Sequence, residues 1–384
     1  MRLLILYEAV YPDRIGGVET RNWELGRAMA RRGHQVTLAG LCAPLPGEPP
    51  HLVVRSLGPS PRLYNAAGQR STRGALRFAT AVARLDLAPY DLVETANMPY
   101  VHLLPLALRC ALTGKPLLVT WYEYWAGYWR GYVGRAKAPL YRAVEWLTAQ
   151  LGTAAVASSR LTRERLAPRR HRRGTVALVP CGIELPRVAA AAAAGRAAGT
   201  GPALVYAGRL LVHKRLDLLL AALPAVAAAF PDAGPLLTVF GEGPDRERLE
   251  ALAGSLGVSE RVRFRGHVAT SEEVWTELGR ARLAVQPSAR EGFGLFPLEA
   301  MAAGLPVVHC ESSESAVAEL VRDGVEGVAA PADAGGLARV LVELLGDDGR
   351  RRRLAAAARA RAAEYDYDAI AARFEEACAA LLRW

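Results

Sequence analysis

The sequence predicts an α/β protein built from two doubly wound domains. Short apolar runs of strand length alternate with longer stretches of helical periodicity along the 384 residues. An Ala- and Gly-rich segment interrupts this pattern near the middle, and the pattern then begins again. Uniformly apolar strands separated by helices are typical of parallel sheets covered on both faces. The length is that of two ordinary domains.

The first half opens with a buried-strand pattern at residues 3–7. A glycine loop follows at Gly16 and Gly17, and helical periodicity extends from residue 18 to Gly33. Further apolar strands are predicted at 35–39, 52–55, 92–94, 117–120, 154–157 and 176–179. Ligands of such domains bind at the carboxyl ends of the strands.

Residues 188–202 are almost entirely Ala and Gly and are predicted to form a linker. A surface helix within one domain is the alternative, but a strand pattern starts afresh at 203–207. The expected organisation is a first domain over 1–187, the linker, a second domain over 203–363 and a terminal segment over 364–384.

The second half repeats the order of elements without repeating the sequence. Strands are predicted at 204–207, 237–240, 262–265, 283–286, 307–309 and 327–329. Helices lie between them, for example at 215–230 and 245–256.

The composition limits the kinds of molecule that the protein is expected to bind and the cellular compartment in which it is expected to work. There are 48 Lys and Arg against 38 Asp and Glu, a net charge of +10. This balance fits a nucleic acid, an anionic membrane surface or a phosphate-bearing small molecule. Five scattered cysteines without CxxC spacing argue against a zinc ribbon or a disulfide framework and favour a reducing cytoplasm. The sequence contains no run of 18 apolar residues, so no membrane-spanning segment is expected. The apolar run at the start is short and is followed by an early acid, so no signal peptide is expected.

Two cations, Arg209 and Lys214, follow the predicted strand at 204–207 and a glycine turn. A guanidinium and an ammonium fixed at a strand end suit a diphosphate, the first as a bidentate donor and the second as a point charge. A solvated basic loop is the alternative. Lys214 is one of only three lysines among the 48 basic residues, so a position that needed charge alone would more often hold arginine.

Two glycine-rich segments follow later strands. The first contains Gly241, Glu242 and Gly243, where glycines let the backbone approach a ligand. The second places Glu291 and Glu299 eight residues apart around a Gly-Phe-Gly loop and a predicted helix start. Free N–H groups at a helix start bind anions, and the two carboxylates can hold sugar hydroxyls.

These motifs resemble the donor domain of the retaining GT-B glycosyltransferases of family 4. The Arg209/Lys214 pair, the Glu-x7-Glu loop and the Phe-Arg-Gly-His-Val segment at 264–268 have the family's order and spacing. The glycine loop at 16–17 and the Val-Pro-Cys-Gly-Ile-Glu segment at 179–184 also resemble it. The resemblance covers essentially the whole chain. It implies two Rossmann-like domains facing across a cleft, an acceptor-side domain and a donor domain, with a C-terminal helix that crosses back to the first.

The resemblance also implies roles for individual residues. Arg209 and Lys214 would neutralise the leaving diphosphate and, with Glu291, form the catalytic set. Glu291 and the following backbone would hold the donor sugar and β-phosphate, and Glu299 would hold the ribose. The residues expected to bind the donor are Gly16, Gly17, Gly241, Glu242, Gly243, His267, Val268, Gly292, Phe293, Gly294, Leu295 and Glu299.

The first domain departs from the family pattern where two histidine motifs are common. Glu94 and Ala96 stand where His-x-His is expected, and Thr-Trp-Tyr-Glu at 120–123 replaces a second motif. Activity is still expected, because in retaining transfer the leaving phosphate can take the acceptor proton. The candidates for the acceptor side are Glu94, Asn97, His102, Tyr122 and Glu123.

No metal is expected, because no acid cluster has ligand spacing and Arg209 and Lys214 already supply positive charge. No other cofactor is expected, because the nucleotide sugar is itself a substrate. Asp366 and Asp368 form a DxD motif, which another glycosyltransferase fold uses to bind metal. An acidic helix start that is favoured by the helix dipole explains this motif better.

Aromatic and basic residues alternate over 125–146. Spacings of three and four place Trp125, Tyr128, Trp129 and Tyr132 on one helical face. Core packing, an acceptor pocket and contact with lipid all fit this pattern. The seven arginines of 160–173 fit a solvated helix and turn or contact with an anionic membrane. Nucleic acid is disfavoured, because no RRM or OB pattern is present.

The sequence therefore predicts a cytoplasmic, metal-independent retaining glycosyltransferase, with peripheral attachment to the inner face of a membrane left open. It would move a hexosyl group from a UDP-sugar, or alternatively a GDP-sugar, to a hydroxyl of a glycan, lipid-linked or small-molecule acceptor. A nucleotide-sugar epimerase of the same architecture and a non-catalytic nucleotide-sugar-binding partner are the alternatives.

Overall fold

A computed structural model describes residues 1–44, 51–60, 71–170, 176–199, 201, 203–232, 234 and 236–382. The chain divides into two compact units. The first contains Met1–Gly182 together with Tyr367–Trp384, and the second contains Ile183–Asp366.

The first unit is built on a seven-stranded parallel sheet of order β3-β2-β1-β4-β5-β6-β7. Its strands are β1 Arg2–Ala9, β2 Gln35–Leu41, β3 Leu52–Ser56, β4 Leu92–Ala96, β5 Leu117–Trp121, β6 Ala154–Ala157 and β7 Val176–Leu178. Every strand predicted in this half is present. The central strands are buried along their length, as their uniformly apolar sequences require.

Helices cover both faces of this sheet. They are α1 Gly17–Arg31, α2 Thr72–Ala83, α3 Leu103–Thr113, α4 Trp129–Val133, α5 Ala138–Ala149 and α6 Arg160–Leu166. Local sequence sets several of their ends. The Ser71 hydroxyl accepts from the N–H of Gly74 at 3.2 Å and caps the start of α2. Gly114 adopts the left-handed conformation, at φ 66°, that ends α3.

The second unit has a six-stranded parallel sheet of order β10-β9-β8-β11-β12-β13. Its strands are β8 Leu204–Ala207, β9 Leu237–Phe240, β10 Val262–Gly266, β11 Leu283–Gln286, β12 Val307–Cys310 and β13 Gly327–Ala330. Its helices are α7 Leu185–Ala197, α8 Leu216–Ala229, α9 Arg246–Ser255, α10 Ser271–Arg280, α11 Leu295–Ala303, α12 Val317–Leu320, α13 Ala334–Gly346 and α14 Asp348–Ala362. The strand order reverses at β1 in the first sheet and at β8 in the second, which places the ligand-binding edge of each unit there.

The last helix, α15 Tyr367–Leu382, returns to the first unit, as expected. Arg31 of α1 forms an ion pair with Asp368 at 2.8 Å, and Arg32 donates to Glu375 at 2.7 Å. Phe374 is fully buried, and the guanidinium of Arg21 lies 5.5 Å from its ring centroid. Asp368 is therefore in the first turn of α15 and pairs with α1.

The prediction of a linker over 188–202 is wrong for the greater part of that segment. Residues up to Ala197 belong to α7, which packs closely on α10. Glycines make this possible, because a Cβ on Gly195 would lie 1.9 Å from the carbonyl oxygen of Thr276. A Cβ on Gly279 would likewise lie 2.0 Å from that of Ala192. The poly-Ala sequence is thus a helix of the second unit. Residues 200 and 202 lie outside the described residues.

The five cysteines are unpaired and buried. Of the helices in the described part of the chain, none combines the length and the apolar composition that a membrane crossing needs.

We expect Gly195→Ala to destabilise the second unit by about 1–3 kcal/mol, the usual cost of overpacking. The new methyl group would force the backbones of α7 and α10 apart, and overpacking of this kind outweighs the helix propensity gained. Ala194→Ser, which adds one atom on the exposed face of α7, should change the free energy of unfolding by only a few tenths of a kcal/mol. Urea unfolding measures both variants. Equal stability of the two would contradict the close helix contact.

Candidate active site

The two charged residues that the sequence singled out most strongly lie together at the carboxyl edge of the second sheet. Lys214 follows β8 and Glu291 follows β11, 77 residues farther along the chain. The Lys214 Nζ donates to Glu291 Oε2 at 2.6 Å, and the two side chains are only 18% and 15% exposed. Partial burial strengthens their attraction above that of a surface pair. The fold thus brings an ammonium and a carboxylate together at the edge where ligands bind.

Two further groups hold Glu291 in place, and the sequence analysis missed both. Gln286, the last residue of β11, donates from Nε2 to Glu291 Oε2 at 2.9 Å and to the Ser288 hydroxyl at 2.7 Å. Its own Oε1 is buried and accepts no hydrogen bond from the described chain. The backbone N–H of Ala316 donates to the Glu291 carbonyl at 2.8 Å. The only signal in the sequence was a polar residue ending the apolar run Leu-Ala-Val-Gln.

The loops after β8 and β9 touch backbone to backbone. A Cβ on Gly241 would lie 2.0 Å from the Gly208 carbonyl oxygen, and one on Gly243 would lie 2.1 Å from that of Leu210. Gly241 has φ 117°, a conformation that only glycine adopts without strain. These glycines were predicted to let a ligand approach. In the structure they allow the two loops to pack against each other. Arg209 belongs to the β8 loop and is half-buried, and its carbonyl accepts from the Tyr206 hydroxyl at 3.3 Å.

His213 is a second residue that sequence reasoning passed over. Its carbonyl accepts from the N–H of Ala289 at 2.9 Å, which links the β8 and β11 loops. Burial lowers the pKa of its imidazole to about 4, and the neighbouring Lys214, Arg290 and Arg209 act in the same direction. The imidazole is therefore neutral at physiological pH.

The Glu-x7-Glu segment forms the start of α11, as predicted. Gly294 has φ 106°, and a Cβ there would lie 3.2 Å from both Pro297 and Val317. Gly292 and Phe293 are buried, and Leu295 is the first residue of the helix. The Phe293 ring lies 5.9 Å from that of Tyr365. The first backbone N–H groups of this nine-residue helix open at the carboxyl edge of the sheet.

Glu299, one turn into α11, is a weaker acid than an ordinary glutamate. The indole Nε1 of Trp275 donates to its Oε1 at 3.0 Å. Burial of the carboxyl raises its pKa to about 7, and the Trp275 hydrogen bond opposes this only in part. Glu299 therefore changes charge near neutral pH.

The remaining residues predicted to bind the donor occupy the end of the sheet formed by β9 and β10. Glu242 is exposed and forms ion pairs with Arg246, which also binds Glu250 at 2.8 Å. His267 is exposed directly after β10, and Val268 is half-buried. These residues lie beside the Gly241 loop rather than beside Glu291. The N–H of Gly241 donates to the Gly266 carbonyl at 2.8 Å and fixes the two loops.

In the first unit, two residues predicted for the acceptor side lie inside the fold. Glu94 is fully buried on β4, where its Oε1 accepts from Arg21 at 3.0 Å and from Thr120 at 2.5 Å. His102 is also fully buried, and its Nε2 lies 2.9 Å from the Thr95 hydroxyl. A buried carboxylate needs such partners, and Glu94 obtains them from within the domain. Both residues can position the site, but neither is exposed to a bound acceptor.

The other first-unit candidates differ in their exposure to solvent. Tyr122 and Glu123 follow β5 and are half-buried. Burial raises the pKa of the Tyr122 hydroxyl, with Arg21 opposing the rise. Asn97 is buried after β4 and donates to the Tyr100 hydroxyl at 3.4 Å. Gly16 precedes α1 and Gly17 is its first residue, so the glycine loop forms the start of a 15-residue helix.

The aromatic segment forms one cluster of rings. The Trp125 ring lies 5.2 Å from that of Tyr128, 4.6 Å from that of Trp129 and 4.9 Å from that of Tyr132. Trp129 is buried, and its indole N–H donates to Glu145 at 3.0 Å. Core packing therefore accounts for the inner part of this segment. Arg170, from the arginine-rich stretch, is likewise buried and donates to the Ala149 carbonyl at 3.0 Å. Residues 171–173 of that stretch lie outside the described residues.

No group of three His, Cys, Asp or Glu side chains that could hold a metal ion occurs within the described ranges. Asp366 and Asp368 fall on either side of the boundary between the two units, and Asp368 is the partner of Arg31.

Comparison with known proteins matches both halves of the chain to glycosyltransferase domains. The profile of the Glycosyltransferase Family 4 domain matches residues 15–187, and that of Glycosyl transferases group 1 matches residues 191–361. Glycogen synthase of Mycobacterium tuberculosis is 29% identical over 394 residues, covering 97% of this chain and 92% of that protein. Phosphatidyl-myo-inositol mannosyltransferase of Mycobacterium leprae is 28% identical, with 94% and 92% covered.

Solved structures agree on the fold. Sucrose-phosphate synthase from Thermosynechococcus elongatus superposes with a TM-score of 0.82 at 23% identity, covering all of both chains. Anabaena HepE, in complex with UDP and glucose, gives 0.76 at 19% identity, covering 99% of this chain and 100% of that one. The chain therefore belongs to the family 4 glycosyltransferases of GT-B architecture. This conclusion rests on the two matched profiles, on the two Rossmann-like halves and on their strand orders.

Proposed function

We propose that the protein is a retaining glycosyltransferase of glycan or glycoconjugate biosynthesis. It moves a hexosyl group from a nucleoside diphosphate sugar to a hydroxyl of a glycan, lipid-linked or small-molecule acceptor. The observation that carries this proposal is the contact between Lys214 and Glu291 at the carboxyl edge of the second sheet. An ammonium and a carboxylate in contact there match the two parts of the donor, a diphosphate and a polyhydroxylated sugar.

Lys214 acts on the leaving group in this proposal. Negative charge grows on the diphosphate as the glycosidic bond breaks, so a cation fixed beside it binds the transition state more tightly than the ground state. On donor binding the ammonium turns from Glu291 to a phosphate oxygen. Gln286 keeps its hydrogen bond to Glu291 Oε2, so that carboxylate remains oriented towards the sugar hydroxyls.

The proposed chemistry of the leaving group explains why the configuration at the anomeric carbon of the sugar would be retained. The departing phosphate takes the acceptor proton on the face from which it leaves, so no enzyme nucleophile is required. The buried ion pair of Glu94 with Arg21, where family members often have histidine, is compatible with such a role for the phosphate. The first unit then contributes position and charge rather than a base.

UDP is the proposed nucleotide, and GDP is the alternative. Support comes from the HepE structures, which were solved with UDP, with UDP and glucose, and with UDP-glucose. The names of the glycogen synthase and mannosyltransferase relatives support a hexosyl group.

We also propose that the enzyme works in the cytoplasm and contacts an anionic membrane surface peripherally. Leu104, Leu108 and Leu112 are 45%, 62% and 77% exposed and recur every four residues along α3. Trp146 and Leu147 of α5 are also exposed. Helices α2 to α5 contain a single acidic residue, Glu145, which is buried and accepts hydrogen bonds from Trp125, Ala126, Trp129 and Tyr100. Apolar residues among unopposed cations suit an anionic bilayer surface.

Lys214→Ala should lower kcat by roughly 100-fold or more, the effect of losing one preorganised electrostatic donor. Lys214→Arg should restore activity only in part, because a planar guanidinium replaces a compact ammonium. The matched control is Lys137→Ala, which removes an exposed lysine of the first unit. Release of UDP from UDP-glucose, with and without acceptor, measures all three. A Lys214→Ala variant with wild-type kcat and KM would remove the diphosphate assignment.

The affinity for UDP-glucose should rise with pH up to about 7 and then level off. The ribose hydroxyls donate to Glu299 only when it is ionised, and binding therefore favours the carboxylate. Below the pKa of about 7 the affinity should fall by up to tenfold per pH unit. UDP-glucose is the chosen probe because its diphosphate does not titrate in this range.

Glu299→Gln should remove this pH dependence, whereas Glu247→Gln, an exposed acid of α9, should keep it. Titration calorimetry between pH 5.5 and 8.5 provides the measurement. A pH profile that is the same in Glu299→Gln and in the wild type would exclude Glu299 as the ribose ligand.

Transfer should continue in excess EDTA. Arg209 and Lys214 supply the positive charge that a divalent cation provides in metal-dependent transferases. Measuring UDP release before and after EDTA treatment, with Mg²⁺ or Mn²⁺ added back, tests this. Activity that is lost in EDTA and returns with the metal would overturn metal independence.

A further inference from the structure

The indole of Trp275 connects helix α10 to the carboxyl of Glu299 on α11. Trp275 is 5% exposed, and its Nε1 donates to Glu299 Oε1 at 3.0 Å. An indole N–H can only donate a hydrogen bond, whereas an ionised carboxylate can only accept one. A hydrogen bond to an ionised acceptor is also stronger than one to a neutral group. The pair is therefore matched to the ionised form of Glu299.

A third helix holds the indole in this orientation. The guanidinium of Arg187 on α7 lies 5.6 Å from the centroid of the Trp275 ring, a distance at which the cation attracts the ring face. Arg187 also forms an ion pair with Glu272, one turn before Trp275 on α10. The close contact of α7 with α10 through Gly195 and Gly279 supports this arrangement. The indole is thus fixed at its N–H and at its face.

Glu299 is held through one of its two carboxyl oxygens. Oε1 accepts from Trp275, and Oε2 accepts no hydrogen bond from the residues that the structure describes. The side chain of Glu299 is partly exposed, and it follows the Glu291 loop on the first turns of α11. A carboxylate fixed through one oxygen presents the other in a defined direction, which recognition of a sugar hydroxyl requires.

Charged and titratable groups also approach α11 from the elements packed against it. These groups are Arg187 and Arg196 of α7, Glu272, Glu273, Glu277 and Arg280 of α10, His309 of β12, Glu319 of α12 and Arg359 of α14. Arg196 donates to the Ala303 carbonyl at 3.0 Å, at the far end of α11 from the Glu291 loop. The pKa of Glu299 is raised by burial and lowered by the Trp275 hydrogen bond, so the indole is the group that favours its ionised form.

We propose that Trp275 is a positioning residue for the donor, because its indole N–H holds Glu299 as an oriented carboxylate that accepts from the ribose hydroxyls. Arg187 holds the indole in turn. The inference rests on the proposed transferase function, in which Glu299 is the ribose ligand. It deepens that function by naming the residue that prepares Glu299 for this contact. Trp275 acts through Glu299 and needs no contact with the donor itself.

The variant Trp275→Phe should move the pH dependence of UDP-glucose affinity to higher pH. Without the N–H donor the pKa of Glu299 rises further, so the midpoint should shift upward from about 7 by about one pH unit. The affinity should then fall by about fivefold at pH 7 and approach that of the wild type at pH 9, where the carboxyl is ionised in both. Titration calorimetry on the full-length protein between pH 6 and pH 9 provides the measurement.

Two further proteins separate the N–H from the packing of the ring. Benzothienylalanine in place of Trp275 replaces the ring N–H by sulfur and keeps the shape of the side chain, so it should give the same shift in midpoint. The control is Trp23→Phe, which removes an indole of similar burial from the first unit, 6% exposed, and should keep the wild-type midpoint. A wild-type midpoint in both Trp275 variants, with affinity lowered equally at every pH, would mean that Trp275 serves packing alone and would overturn the proposal.

A double variant tests whether Trp275 acts through Glu299. In Glu299→Gln there is no carboxylate charge for the indole to stabilise, so adding Trp275→Phe should change the affinity at pH 7 much less than it does in the wild type. An equal loss in the two backgrounds would show that Trp275 acts by another route and would overturn the proposal.

The same titrations distinguish this inference from the function on which it rests. Wild-type protein that binds UDP-glucose with a midpoint near pH 7, together with an unshifted midpoint in the Trp275 variants, refutes the role of Trp275 alone. Absence of UDP-glucose binding by the wild type at every pH refutes the proposed function.

Discussion

The organisation of the second unit depends on the backbone contact between the loops that follow β8 and β9. Gly241 and Gly243 bring one main chain against the carbonyl groups of the other, where a Cβ has no room. The β8 loop is also joined to the β11 loop, through the hydrogen bond from Ala289 to the His213 carbonyl. Because main-chain contacts fix that loop on both sides, Lys214 meets Glu291 without depending on flexible side chains for its position. Such preorganisation is what electrostatic stabilisation of a transition state requires.

In the free protein the charges of Lys214 and Glu291 balance each other, and the proposed ligand would replace this ion pair with contacts of its own. A partly buried ion pair recovers its desolvation cost only when further hydrogen bonds satisfy it, and Gln286 supplies one to Glu291 Oε2. In the proposed reaction a diphosphate would draw Lys214 away, and Glu291 would then retain that neutral donor and gain sugar hydroxyls. The ligand thus replaces an interaction of the free protein rather than adding to an unpaired charge. His213, kept neutral by burial beside these cations, adds no further charge to repel Lys214.

The sequence was sufficient for the strands, and it singled out Lys214 and Glu291, which the structure brings into contact, because both results depend on local patterns. Apolar runs between helices give the sheets, and glycine loops at strand ends mark the ligand edge. Where it failed, the cause was tertiary. Gly195 suggests flexibility in a poly-Ala segment, yet it is the residue that lets α7 approach α10. Glu94 could be taken for an acceptor-side acid, because its partner Arg21 lies 73 residues away. Gln286 has no motif, and only its contact with Glu291 identifies its role.

The excess positive charge of the chain is distributed unevenly between the two units. In the second unit, arginines at the carboxyl edge are opposed by acids, as Arg290 is by Glu314 at 2.9 Å. In the first unit, helices α2 to α5 carry arginines, and the one acid within these four helices, Glu145, is buried. A uniform compositional bias would raise the arginine content everywhere but would not remove acids from one face. A cationic face on this unit attracts anionic molecules and raises their concentration near it before any contact forms.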